Sequence, residues 1–94
     1  MKIAIKRPGE KLTYCNVKPT NDNFLKIIGA PFIALPKGNL NVFMSKNANV
    51  GKRNVQLDGV DVCGTIIISG STATGIATDL TLRDIKKIKE LNVV

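Results

Sequence analysis

The first residues of the chain alternate between apolar and polar side chains. Residues 2–6 follow period two, with Ile3 and Ile5 on one face, and this pattern is typical of a half-buried strand. Residues 7–10 place Pro and then Gly at the central positions of a type II turn. Residues 11–17 predict a second strand, so we expect the chain to open with a β-hairpin.

A short amphipathic helix is predicted after this hairpin. Asn21 and Asp22 offer side-chain oxygens that can cap the first amides of a helix. Gly29 supplies the left-handed residue that commonly ends one. The apolar face between these two signals consists of Phe24, Leu25, Ile27 and Ile28. A helix of about two turns needs packing against the rest of the protein to be stable.

Strand signals dominate the middle of the chain. Residues 31–35 predict a buried strand, and residues 40–44 predict its hairpin partner. Residues 45–54 show no apolar periodicity and predict a loop. Residues 60–69 give the strongest strand signal, because they are rich in β-branched side chains, and we expect them at the centre of the sheet.

The C-terminal part of the chain predicts a loop over residues 70–75, a short strand over residues 76–78 and a helix. Thr81 and Asp84 have the spacing of a capping box. The resulting order predicts an α+β fold, with a mostly antiparallel sheet of about five to six strands and two helices, one short and internal and one C-terminal, on one face. The length suits a single domain over residues 1–94.

Positive charge is concentrated in the first half of the chain. Residues 1–53 contain ten of the fourteen Lys and Arg residues and two acidic residues, which is a net charge of +8. Residues 54–94 contain four basic and five acidic residues, which is a net charge of −1. Such a field attracts phosphates, nucleic acids or an acidic protein face. Basic residues of the predicted hairpin add to it if they lie near the 45–54 loop: Lys2, Lys6, Arg7, Lys11 and Lys18.

Two segments are candidate anion-binding sites. In the first, Lys and Arg would neutralise phosphate and Asn amides would bind base or ribose edges. Its residues are Lys46, Asn47, Asn49, Lys52, Arg53 and Asn54. In the second, the 70–75 loop, backbone amides could converge on a phosphate. Its residues are Ser71, Thr72 and Thr74. The alternatives are a solvated loop for the first segment and a flexible hairpin loop for the second.

Catalytic and metal chemistry have little support in the sequence. The chain has no His, which is the usual general base near neutral pH. Asp58 and Asp61 could act as an acid–base pair or hold a metal, but Asp-Gly is also a common turn signal. Cys15 and Cys63 lie in apolar or strand-like runs and predict buried free thiols. We therefore predict no enzyme activity, no metal and no cofactor.

Four short motifs are spread over nearly the whole chain. They are the opening Met1-Lys2-Ile3 through Pro8-Gly9-Glu10, the helix-Gly-strand segment of residues 24–33, the Asn47, Gly51 and Asn54 loop, and the closing residues 61–68 and 80–85. Together they resemble the family of small bacteriophage and mobile-element proteins known as domain of unknown function 3846. This resemblance implies a phage accessory protein that acts inside a bacterial cell.

These observations predict a small non-catalytic binding protein, encoded by a phage, that neutralises an anionic component of its host. Its most specific form is the sequestration of a nucleotide signal molecule of host defence, which needs a preformed pocket with basic side chains. The alternatives are a nucleic-acid-binding accessory protein and an inhibitor that docks on an acidic face of a host enzyme. The absence of a long apolar stretch predicts no membrane partner. The family resemblance implies a location in the host bacterial cytoplasm, and a homo-oligomer is compatible with the sequence.

Overall fold

In a computed structural model, which describes residues 1–91, the elements follow the predicted order with additions between the fourth strand and the central one. They are β1 (Lys2–Lys6), β2 (Thr13–Asn16), α1 (Asn21–Ile28), β3 (Phe32–Lys37), β4 (Leu40–Ser45), β5 (Arg53–Leu57), β6 (Val60–Cys63), β7 (Ile66–Ser71), β8 (Ala77–Thr78) and α2 (Leu82–Glu90). The last three residues of the predicted domain, 92–94, lie outside the described residues.

The main sheet contains six strands. Its order is β2-β1-β7-β4-β3, and β8 pairs with the end of β7. All of these pairings are antiparallel, which confirms the predicted α+β fold. β7 lies at the centre, as predicted, and Ile66, Ile67 and Ile68 are fully buried there. Their β-branched side chains suit a strand that is covered on both faces.

The two helices cover opposite faces of the main sheet, so the prediction that both lie on one face is wrong. α1 inserts Phe24 into a cluster with Ile3, Ile5, Phe43 and Ile67. α2 packs Ile88 against the opposite face, in a cluster that includes Ala4, Leu40, Val42, Ile66 and Ile68. Adjacent residues of a strand point to opposite faces, and the central strands are apolar at nearly every position. Each face therefore needs its own cover.

A second, two-stranded sheet formed by β5 and β6 covers the rest of the α2 face. Its buried residues there are Val55, Leu57 and Val62. This hairpin corrects two predictions. β5 begins at Arg53, inside the predicted 45–54 loop, and the predicted 60–69 strand is divided into β6 and β7. Gly64, at φ 82°, separates β6 from β7. Asp58 and Gly59 form the hairpin turn with φ of 51° and 77°, as expected for the turn types that suit the twist of a hairpin.

The ends of both helices are set by local hydrogen bonds. Thr20, and not the predicted Asn21 or Asp22, is the N-cap of α1, since its hydroxyl accepts from the amide of Asn23 at 3.1 Å. Gly29 ends the same helix at φ 81°, as predicted. α2 has the predicted capping box.

Three predictions of burial are wrong. β1 is buried on both faces and not half-buried, since Ala4 and Lys6 are buried as well as Ile3 and Ile5. β3 is an edge strand, and its side chains are largely exposed, because the strand pairs with β4 on one side only. Cys15 and Cys63 are free thiols, but each is half-buried instead of buried. The apolar character of these segments indicated a strand correctly, whereas the position of the strand in the sheet decides how much of it water reaches.

Candidate anion-binding site

Several basic segments meet at one end of the main sheet. β1 ends at Lys6, opposite Ile66 where β7 begins, and β4 runs antiparallel to β7, so the loops after β1 and after β4 emerge together. A cleft between Lys11 and Lys89 brings the last turn of α2 to the same place. We call this place the basic end. Its side chains are Arg7, Lys11, Lys46, Lys52, Arg53 and Lys89.

Asn54 fastens the start of β5 to the end of β1. Its amide nitrogen donates to the carbonyl oxygens of Lys6 at 2.7 Å and of Gly64 at 2.8 Å. Its amide oxygen accepts from the ammonium group of Lys6 at 3.0 Å. The reverse orientation of the amide would place its NH₂ against the ammonium group, so the three partners define the orientation. The side chain of Asn54 is therefore committed to the fold, although the sequence placed it among the ligand-binding residues.

The 45–54 segment is held against the small sheet by its backbone. The carbonyl of Ala48 accepts from the amide of Cys63 at 2.6 Å, and that of Lys52 accepts from the amide of Gly64 at 2.8 Å. The hydroxyl of Ser45 accepts from the amide of Asn47 at 3.1 Å. The backbone is thus fixed while five of the six candidate side chains remain exposed: Lys46, Asn47, Asn49, Lys52 and Arg53. Such preorganisation lowers the entropic cost of binding a ligand.

The charges of the basic end are only partly balanced. Arg53 pairs with Asp61 at 3.1 Å, and both side chains are more than half exposed. An exposed pair of this kind contributes little to stability, so a phosphate can compete for the guanidinium group. Asp58 pairs with Lys37 at the other end of β5, so each of the two carboxylates that could have formed an acid–base or metal pair faces its own basic side chain. Asp22 lines a cleft together with Lys46. Glu10 and Glu90 are the sequence neighbours of Lys11 and Lys89.

Lys6 does not belong to the exposed set. Only 7% of its surface is exposed, and its ammonium group donates to the carbonyl of Arg7 at 2.9 Å as well as to Asn54. Lys2 and Lys18 are also separate from it, because they lie at or beyond the opposite end of the β1–β2 pair. The sequence analysis assigned five basic residues of the hairpin to this positive surface. Of these five, Arg7 and Lys11 contribute to the basic end.

A cleft of about 350 Å³ lies beside the basic end, between β2 and the C-terminal turn of α2. Lys11, Leu12, Tyr14 and Lys89 line it. Tyr14 is 39% exposed, so one part of its ring is free to contact a ligand between two amines. Reasoning from the sequence did not select this group, because its members come from the two ends of the chain. The single Tyr among nearby lysines was the one available signal.

The second predicted segment lies at the opposite end of β7. Ser71 is part of β7, so the predicted 70–75 loop begins later than expected. The hydroxyl of Thr72 accepts from the amide of Ile76 at 3.0 Å and lies 3.1 Å from the hydroxyl of Thr74. The amides of Thr72 and Gly75 also donate within the turn. Most of these polar groups thus close the turn on itself, which favours the hairpin-loop interpretation for Ser71, Thr72 and Thr74.

The arrangement can bind negative charge over a broad surface. Within residues 1–91, no helix is long and apolar enough to cross a membrane. Comparisons with protein-family models, with curated proteins and with solved structures find no match. The resemblance to domain of unknown function 3846 therefore stays a prediction, and the geometry of the chain itself has to carry the functional argument.

Proposed function

We propose that the protein is a non-catalytic binding protein whose basic end contacts the phosphate backbone of a nucleic acid. The observation that supports this proposal is the spread of the basic side chains. They come from the β1–β2 loop, the β4–β5 loop, the start of β5 and the end of α2, and do not converge on one enclosed pocket. A spread of charge matches a polyanion better than a single small ligand.

The dimensions of the molecule agree with this proposal. The longest extents of the chain are 30 and 29 Å. At about 3.4 Å for each nucleotide step of one strand, a molecule of this width faces at most roughly nine steps of a duplex. Four phosphate contacts on duplex DNA would lower the logarithm of the association constant with a slope of about −3.6 against the logarithm of the salt concentration. A mononucleotide would give a much shallower slope.

Charge reversal in the 45–54 segment tests the proposal. Fluorescence anisotropy with 20-base-pair DNA, single-stranded DNA and RNA should detect binding by the wild type at low salt. The double variant Lys52→Glu, Arg53→Glu should bind at least tenfold more weakly, which corresponds to about 1.4 kcal/mol. The matched control is Lys18→Glu with Arg83→Glu, which makes the same change of charge at exposed positions near the opposite end of the main sheet.

The control variant distinguishes binding at the basic end from a general attraction to the positive charge of the protein. We expect it to weaken binding by less than about threefold, since it alters only the overall field. Equal losses in the two double variants would mean that net charge, and not the basic end, attracts the nucleic acid. Circular dichroism should show that both variants remain folded. A wild type that binds none of the three probes at low salt would refute the proposal itself.

The cleft between β2 and α2 supports a second candidate function, the binding of a single nucleotide. A base stacked on Tyr14 would gain about 1–3 kcal/mol, while Lys11 and Lys89 face the phosphates. This is the form in which the protein would sequester a nucleotide signal of host defence, and the phage setting is a proposal that comes from the family resemblance. Calorimetric titration with linear and cyclic nucleotides tests it, and Tyr14→Ala should weaken binding by roughly 5- to 150-fold if the base stacks there.

A further inference from the structure

The outer edge of β3 has free backbone hydrogen-bonding groups. The amide of Lys46 donates to the carbonyl of Pro31 at 2.9 Å, which places Pro31 at a hydrogen-bonded position of the β3–β4 pair. Because such positions alternate along an antiparallel pair, Ile33 and Leu35 also bond to β4. Phe32, Ala34 and Pro36 then direct their backbone groups away from β4. No strand of residues 1–91 pairs with that side.

An apolar cavity lies beside this edge. Its volume is about 320 Å³, and it lies between the main sheet and the β5–β6 hairpin. Its apolar lining includes Leu35, Val42, Met44, Leu57, Val60 and Val62. Leu35 is 44% exposed and Val60 is 64% exposed, so the apolar surface continues from the cavity onto the outside of the protein. The ion pair between Lys37 and Asp58 lies at one border of it.

We infer that the β3 edge and this cavity bind an extended segment of another protein, with aliphatic side chains at alternate positions and acidic residues among the others. Strand addition of this kind uses main-chain hydrogen bonds for affinity and pockets for alternate side chains for specificity. The free edge of β3 and the apolar cavity lie side by side and meet both requirements. Residues of an added strand that point to the face of Leu35 would reach the cavity, and their neighbours would point to the other face.

The charge of the chain selects an acidic segment over a second copy. Two copies would each carry a net charge of +7, and this repulsion opposes a contact built on one short edge strand. An acidic segment instead gains from the same field, and Lys46 is exposed close to the start of β3. Pro36 has no N–H group, so it limits pairing at the other end of the strand and confines the strongest contacts to Phe32 and Ala34.

A peptide selection tests this inference without a known partner. A random ten-residue library displayed on yeast is selected on the wild-type protein, and the binding of the enriched peptides to two variants is then measured. Ala34→Pro removes an outward amide but no hydrogen bond to β4. The matched control is Asn16→Pro, which removes an outward amide from β2, the other edge strand. Circular dichroism confirms that both variants are folded.

The inference gives distinct expected results. Enriched peptides should alternate aliphatic residues and be rich in Asp and Glu, and they should bind Ala34→Pro at least tenfold more weakly than Asn16→Pro. Hydrogen exchange should show that the amide of Ala34 exchanges quickly in the free protein and becomes protected by the peptide. Three results would overturn the inference: no enriched peptide that discriminates between the variants, an amide of Ala34 protected already in dilute protein, or a dimer that occupies the edge. None of these results depends on nucleic-acid binding at the basic end.

Discussion

Removal of the Asn54 side chain should destabilise the protein strongly. The side chain makes two neutral hydrogen bonds to carbonyl groups and one to the nearly buried ammonium group of Lys6. A neutral hydrogen bond contributes about 0.5–1.5 kcal/mol, and one to a charged group about 1.5–3 kcal/mol. These contributions overlap because they share one side chain, so we expect Asn54→Ala to lower the free energy of unfolding by roughly 2–4 kcal/mol.

Urea denaturation followed by circular dichroism measures this change as a lower midpoint at an unchanged slope. For a domain of about this size, the same loss corresponds to a decrease of roughly 8–25 °C in Tm. Asn49→Ala is the matched control, because Asn49 is an exposed residue of the same loop. Its substitution should change the free energy of unfolding by less than about 0.5 kcal/mol.

A second substitution separates the charge from the hydrogen-bond donors. Asn54→Asp keeps an acceptor for the Lys6 ammonium group but cannot donate to the carbonyls of Lys6 and Gly64. It should therefore fall between the wild type and Asn54→Ala in stability. If Asn54→Ala were as stable as Asn49→Ala, the three hydrogen bonds would not hold β5 against β1. If Asn54→Asp matched the wild type, the two hydrogen bonds to the carbonyls of Lys6 and Gly64 would contribute little to the link.

Two further changes test the backbone at glycine positions. Gly29→Val should lower the free energy of unfolding by more than about 1 kcal/mol, because Gly29 has φ 81°. Gly29→Asn should lower it less, since Asn tolerates this conformation better than Val. Equal melting temperatures for the wild type and both variants would contradict this end of α1. Gly70→Ala should cost about 1–3 kcal/mol, because its Cβ would lie 2.6 Å from the Thr78 hydroxyl and 2.8 Å from the Asp79 carbonyl. Thr78→Ala in the same chain should restore only part of that loss in a urea melt, as the Asp79 carbonyl belongs to the backbone, and a full recovery would show that only the side chain is in the way.

Local signals in the sequence predicted most of the elements of the fold. The alternation in residues 2–6, the glycine at position 29 and the capping box at Thr81 each act over a few residues, and the strand and both helix ends that they predict are confirmed. The alternation does not predict the burial of β1, which is buried on both faces and not half-buried. The β5–β6 hairpin was missed because its first strand begins with Arg53-Asn54, residues that are uncommon in strands. Packing of Val55 and Leu57 under the sheet, a contact between distant parts of the chain, stabilises the strand there.

The candidate site could be predicted only in part, for a similar reason. The composition of the 45–54 segment indicated exposed Lys and Asn residues, and four of them are exposed as expected. The role of Asn54 could not be read from composition, because an Asn that holds two strands together and an Asn that binds a ligand look alike in a sequence. The nearness of Lys11 and Lys89 depends on how α2 crosses the sheet, and no local pattern encodes that crossing.

The chemistry of the link at Asn54 bears on why the basic end is basic. Arg7, Lys52 and Arg53 are carried by segments that this one side chain holds together. A carboxylate at position 54 would neutralise the Lys6 ammonium group and weaken the positive field at this end, whereas the amide completes the hydrogen bonds without adding negative charge. Stability also favours the amide at position 54, because a carboxylate could not donate to the carbonyl groups of Lys6 and Gly64. A neutral link therefore joins these segments without reducing the positive field, as the proposed contact with a polyanion requires.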